Sequence, residues 1–169
     1  MKPFYKSWNV LLFAFLISCL LSCRSNRNNL PEQGSPIPSL DIQLLDSVSI
    51  LNTTTIPLGK TVVFIYFRPN CPHCKKETIT LLANMDILQK TQFYFITPMP
   101  LEELKIFYES YGLKDFQNIT AARDYDLAFY KYFNPQDVPY ILVYNPQKKL
   151  ERLLIGEIES KLLIESVKG

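Results

Sequence analysis

Two cysteines three positions apart, in Cys71-Pro72-His73-Cys74, follow closely on the apolar run Val62-Val63-Phe64-Ile65-Tyr66-Phe67. A thiol pair at this spacing can close a disulfide within one helical turn, supply half of a metal site, or be two thiols that happen to be neighbours. Position separates these chemistries. Proline is tolerated in the first turn of a helix, so a helix opening at Pro72 leaves Cys71 at its N-terminus. Free backbone N–H groups and the positive end of the helix dipole favour an anion there, which stabilises the thiolate form of Cys71. On the loop side, Cys71 is the exposed, attacking thiol; Cys74 sits deeper and resolves. The expected centre is a redox-active Cys71–Cys74 disulfide. His73 can direct a hydrogen bond or a positive charge at the Cys71 thiolate, making the disulfide a stronger oxidant, or it can stand solvated in an exposed turn.

Counting ligands weighs against metal. Structural zinc takes four, whereas two of the four cysteines, Cys19 and Cys23, fall in the N-terminal leader. The remaining two thiols and the single histidine all lie between positions 71 and 74. No metal and no other cofactor is expected. Peroxide chemistry is disfavoured because peroxiredoxins carry Thr or Ser three residues before the reactive cysteine, and this chain has Arg68.

The elements that position the pair read from the spacing of apolar residues. Residues 61–67 form a short continuous β-branched and aromatic run, as in a strand covered on both faces. Residues 72–89 read as a helix with Ile79, Leu82 and Leu88 among its apolar positions, and 92–97 as a second buried strand. Leu101, Leu104, Phe107, Tyr108 and Tyr111 form one helical stripe that stops at Gly112. A strand around 119–122, a helix around 124–133, a hairpin from 139–145 and 149–156, and a helix over 157–167 complete the order. Strands alternating with helices imply an α/β domain, a central mixed sheet with helices on both faces.

The 169 residues suffice for one domain with a real core. With 18 Lys+Arg against 16 Asp+Glu and no basic stripe, nucleic acid is not an expected partner. Lys2 and Lys6 precede an apolar run, Val10–Leu21, too short to span a bilayer and laid out like a secretory signal. Its end, Leu20-Leu21-Ser22-Cys23, resembles a bacterial lipobox; "LISC", ending at Cys19, competes, but the chain turns polar only after Cys23. The expected organisation is a lipoprotein signal peptide over 1–22, a linker over 23–36 lipid-attached at Cys23, and a folded domain over 37–169. The domain is then extracytoplasmic, tethered to a bacterial membrane and facing the periplasm, where a thiol pair can be oxidised and stay so.

Taken together, "LGKTVVFIYF", "CPHCKKE", "VPYILVYNPQKK" and "LLIG" resemble the TlpA/ResA-like (AhpC/TSA-related) extracytoplasmic branch of the thioredoxin fold. The resemblance covers about residues 34 to 167. It implies a thioredoxin fold in which residues 101–122 form the helix and strand that this branch inserts. It also implies that Pro139 is a cis-proline facing the disulfide, exposing the backbone of Val138 to an extended substrate chain. Glu77 matches an acidic residue that tunes the thiols or shuttles a proton; from the residues alone it reads equally as a surface carboxylate beside Lys75 and Lys76. Asn70, Tyr140 and the absence of a proline soon after Glu77 depart from the pattern around the substrate groove.

The implied activity is thiol–disulfide oxidoreduction on exported proteins, as a reductase fed by a membrane electron donor. The Pro-His dipeptide pulls the other way, being the one found in the oxidase DsbA, but residues 90–138 leave little room for DsbA's larger helical insertion. A thioredoxin-fold scaffold lipoprotein with a structural disulfide is the reading from another class. A monomer is expected.

Overall fold

The computed structural model describes residues 30–168. The leader, with Cys19 and the lipidation site expected at Cys23, lies outside the described residues.

The domain is organised by a strand with no wet face. Every residue of β3 (Thr61–Tyr66) is buried, and its alternation divides the core in two. Val63, Ile65 and the following Phe67 join one apolar cluster; Val62, Phe64 and Tyr66 join another. Around it are β1 (Asp41–Leu44), β2 (Ile50–Asn52), α1 (Pro72–Leu82), β4 (Thr91–Thr97), α2 (Leu101–Ser110), β5 (Ile119–Arg123), α3 (Ala128–Phe133), β6 (Tyr140–Tyr144), β7 (Leu150–Ile155) and α4 (Ser160–Val167). The seven strands order as β2-β1-β5-β4-β3-β6-β7. β3, β4 and β5 run parallel, while β6, β7, β1 and β2 each join antiparallel to their neighbours. Leu81 of α1, Leu104 and Phe107 of α2, and Leu163 and Val167 of α4 fill the first cluster. Phe129 and Phe133 of α3 fill the second, where the Phe129 ring stacks on Tyr66 at 4.6 Å. Each such aromatic or aliphatic side chain contributes roughly 1.5–3 kcal/mol on burial.

Several sequence expectations are corrected. The helix expected over 72–89 stops at Leu82, because the Asn84 side-chain amide donates to the Thr80 carbonyl at 2.8 Å and competes with the helical ladder. A 3-10 turn, Met85–Ile87, follows, and Leu88 is buried beyond the helix. Ile79 is 57% exposed; the buried face of α1 is Cys74, Glu77, Thr78 and Leu81. The β1–β2 hairpin was not expected. Its turn is set by the Asp46 carboxylate, which accepts from the Val48 and Ser49 amides, an Asx turn. Residues 34–36, expected as linker, are docked: Gly34 N–H donates to Leu150 O at 2.7 Å and Leu150 N–H to Ser35 O at 2.8 Å.

Asp124, expected inside the third helix, precedes α3 and caps it. It is fully buried and accepts from the Phe129 and Tyr130 amides at 3.0 and 3.1 Å and from the Tyr66 hydroxyl at 3.1 Å. Asp124→Ala orphans two buried donors and one part-buried donor and is expected to destabilise the protein by about 3 kcal/mol in urea unfolding; a loss below about 1 kcal/mol would show that these bonds carry little.

Candidate functional site

β3 ends at Tyr66, and a turn closed by Cys71 N–H to Arg68 O, 3.0 Å, delivers the chain to α1. Cys71 is the N-cap of that helix, with Pro72 as the first helical residue. Its Sγ takes the place of the usual capping oxygen, accepting from the Cys74 amide at 3.3 Å. Cys71 is half-buried. Cys74, one turn on, is 1% exposed, and both are free thiols. Burial, and then the hydrogen bond with Cys71, push the Cys74 thiol well above its ordinary range. The two sulfurs are therefore chemically unequal: one meets solvent, and the other gives up its proton only with difficulty.

The opposite wall comes from the segment entering β6. The Val138–Pro139 peptide bond is cis. The Val138 carbonyl lies 3.8 Å from Cys71 Sγ, so residues 67 positions apart are brought face to face. Pro139 O accepts from the Gly156 amide at 2.9 Å, while the Val138 amide is bonded to the Asp137 carboxylate at 2.7 Å.

Glu77 does not lie on the surface. It is 1% exposed; Oε1 accepts from the Ile158 amide at 3.0 Å, and Oε2 has no partner among the described residues. Burial raises its carboxyl above the ordinary carboxylate value. His73 is about half exposed and turns its Nδ1 to the Glu157 carboxylate at 3.4 Å. Glu157 also binds Lys76, whose hydrogen bond, and then its charge, hold the Glu157 carboxyl below its usual range. Glu157 was missed at the sequence level, where it reads as the start of the last helix, 84 positions beyond His73.

Tyr140, one of the departures expected to border the substrate groove, is instead buried in the second cluster against Phe133. Its side is set by the strand alternation of β6, which turns it to the α3 face. Asn70 does border an opening. With Pro69, Lys75, Ile106, Phe107 and Tyr111 it lines a cleft of about 560 Å³ between the turn before Cys71 and α2.

No family model and no curated protein matches the chain. Solved structures do match. A secreted Mycobacterium tuberculosis disulfide oxidoreductase homologous to E. coli DsbE superposes with a TM-score of 0.64 at 19% identity, over 76% of this chain and 94% of that one. The MTB protein dsbF, in mixed oxidised and reduced forms, gives 0.62 at 20% identity over 82% and 96%. A peroxiredoxin-like protein from Aquifex aeolicus gives 0.65 at 16% identity over 82% and 87%. Likeness at such identities is likeness of fold: the chain has a thioredoxin fold, as its motifs lead one to expect.

Proposed function

We propose that the protein is a thiol–disulfide oxidoreductase that exchanges disulfides with exported proteins, working chiefly as a reductase. The observation that carries this reading is the asymmetry of the two sulfurs across the cis-proline: Cys71 half-buried at a helix N-terminus, Cys74 shut in behind it. The Cys71 thiolate attacks one sulfur of a substrate disulfide. A Cys71–substrate S–S bond forms, the substrate S–S bond breaks, and the other substrate sulfur leaves as a thiolate. Cys74 then loses its proton and attacks Cys71 Sγ. The Cys71–Cys74 bond forms and the second substrate thiolate departs, its charge quenched by that proton. Two electrons have passed to the substrate, and a membrane electron donor must return them. The cysteine pair is the only redox group this requires.

Val138 and Pro139 supply the platform on which an extended substrate chain lies beside Cys71. The leader pattern ending at Cys23 supports an exported protein tethered to the membrane through that cysteine, and the secreted Mycobacterium tuberculosis neighbour supports export. The Pro-His dipeptide favours the opposite, oxidising direction.

In cells, Cys74→Ser is expected to accumulate mixed disulfides with partner proteins, resolved on reducing gels, and Cys71→Ser to accumulate none. Full biological activity in Cys71→Ser would instead support a scaffold with a structural disulfide. Direction is read from the redox equilibrium of the purified protein: a potential near or below about −270 mV marks a reductase, and one near about −120 mV a disulfide donor.

Glu77 lends itself to a pH test. Its folded-state pKa is raised by burial, so its favourable contribution is complete below the unfolded value and is lost as pH rises through the folded one. Glu77→Gln retains an oxygen for the Ile158 amide but carries no charge. Urea midpoints of wild type and Glu77→Gln should be similar at low pH, with wild type falling behind as pH rises through and above the ordinary carboxylate range. A difference of opposite sign would show that the carboxylate is stabilised where it sits.

A further inference from the structure

The turn between β7 and α4 touches both halves of the redox site. Gly156 N–H holds Pro139 O, and Ile158 N–H holds Glu77 Oε1. Between these two anchored amides stands Glu157, its carboxylate shared by His73 and Lys76. An exposed ion pair usually contributes little, partly because two long side chains must be immobilised. Here the backbone on either side of Glu157 is already fixed, and His73 is fixed in the first turn of α1.

Resting on the oxidoreductase reading above, we propose that Glu157 is a positioning residue that acts through His73 to hold the Cys71–Cys74 couple toward its reducing end. A histidine between the cysteines can aid the Cys71 thiolate by charge or hydrogen bond, and whatever aids the thiolate stabilises the reduced form and raises the potential. Glu157 engages the same imidazole at Nδ1, 3.4 Å away, and so competes with the thiolate for it. The remaining charges on this stretch of α1 are Lys75, which lines the cleft on the far side of Cys71, Lys76, bound to Glu157, and buried Glu77. Of these groups, Glu157 alone bridges to His73. A Pro-His dipeptide otherwise suited to an oxidant is thereby moved part of the way toward reduction.

The test is the equilibrium of the purified protein with glutathione, in which the enzyme disulfide and two glutathione thiols exchange for the enzyme dithiol and one glutathione disulfide. Wild type, Glu157→Gln, His73→Gln and the double variant are compared at matched urea stability. Glu157→Gln is expected to shift the equilibrium constant toward the reduced protein by roughly three- to tenfold, or about 15–30 mV. In the His73→Gln background that shift should fall by at least about half, and in 1 M salt, where the screening length is about 3 Å, it should largely vanish. An unchanged potential in Glu157→Gln overturns the inference, as does a shift of the same size with and without His73. A wild-type disulfide that exchanges with neither glutathione nor dithiothreitol sinks the oxidoreductase reading itself, an outcome separate from either of these.

Discussion

A strand buried on both faces must be covered twice, and most of the architecture follows from satisfying β3 in that way. With Thr61–Tyr66 fully enclosed, α1, α2 and α4 pack on one side and α3 on the other. The parallel partner β4 requires a crossover, and α1 is that crossover. The chain leaving β3 therefore has to turn at the C-terminal edge of the sheet and start a helix there, which puts Cys71 on a rim rather than in the core. The cysteine pair is partly open on one sulfur and buried on the other because a helix that begins at a sheet edge carries its first residue toward solvent and its first buried position one turn inward.

That same edge explains why the site could be read so far from the sequence and no further. The run at 62–67, the cysteine pair and Val138-Pro139 each bear a local signature: continuous apolar character, fixed spacing, a proline opening a strand. The structure bears out the strand, the helix start and the cis bond. What the sequence hid is tertiary. Glu77 reads from the residues alone equally as a solvated carboxylate among lysines, and its buried partner, the Ile158 amide, lies 81 positions away. Glu157 has no signature at all. Ile79 was placed inward by apolar character, yet the inward face is taken by Cys74 and Glu77; a helix presenting chemistry inward has less need of isoleucine there. The β1–β2 hairpin was obscured by the adjacent Leu44-Leu45, which breaks strict alternation. Its turn signal, Asp46-Ser47, is short and specific, and it becomes legible once the Asp46 bonds are seen.

The three groups that surround the sulfurs come from separate stretches of chain: the N-terminal half of α1, the entry to β6, and the turn after β7. The first two are joined at Cys71 Sγ and the Val138 carbonyl, 3.8 Å apart. The third binds each of the others through one backbone amide. None of these links is large in energy, at about 1 kcal/mol for an ordinary hydrogen bond. They act together because each is closed by an element already committed to the core.

The turn at Gly156–Ile158 has a further consequence for when the protein becomes chemically competent. Chains emerge from the ribosome N-terminus first, so the cysteine pair is made more than eighty residues before the amides that complete its surroundings. A partly synthesised chain carries a Cys-Pro-His-Cys segment without Gly156 on the proline carbonyl, without Ile158 on Glu77 and without Glu157 on His73. The surroundings of the cysteine pair in the folded domain are therefore complete only once the chain through Ile158 is in place.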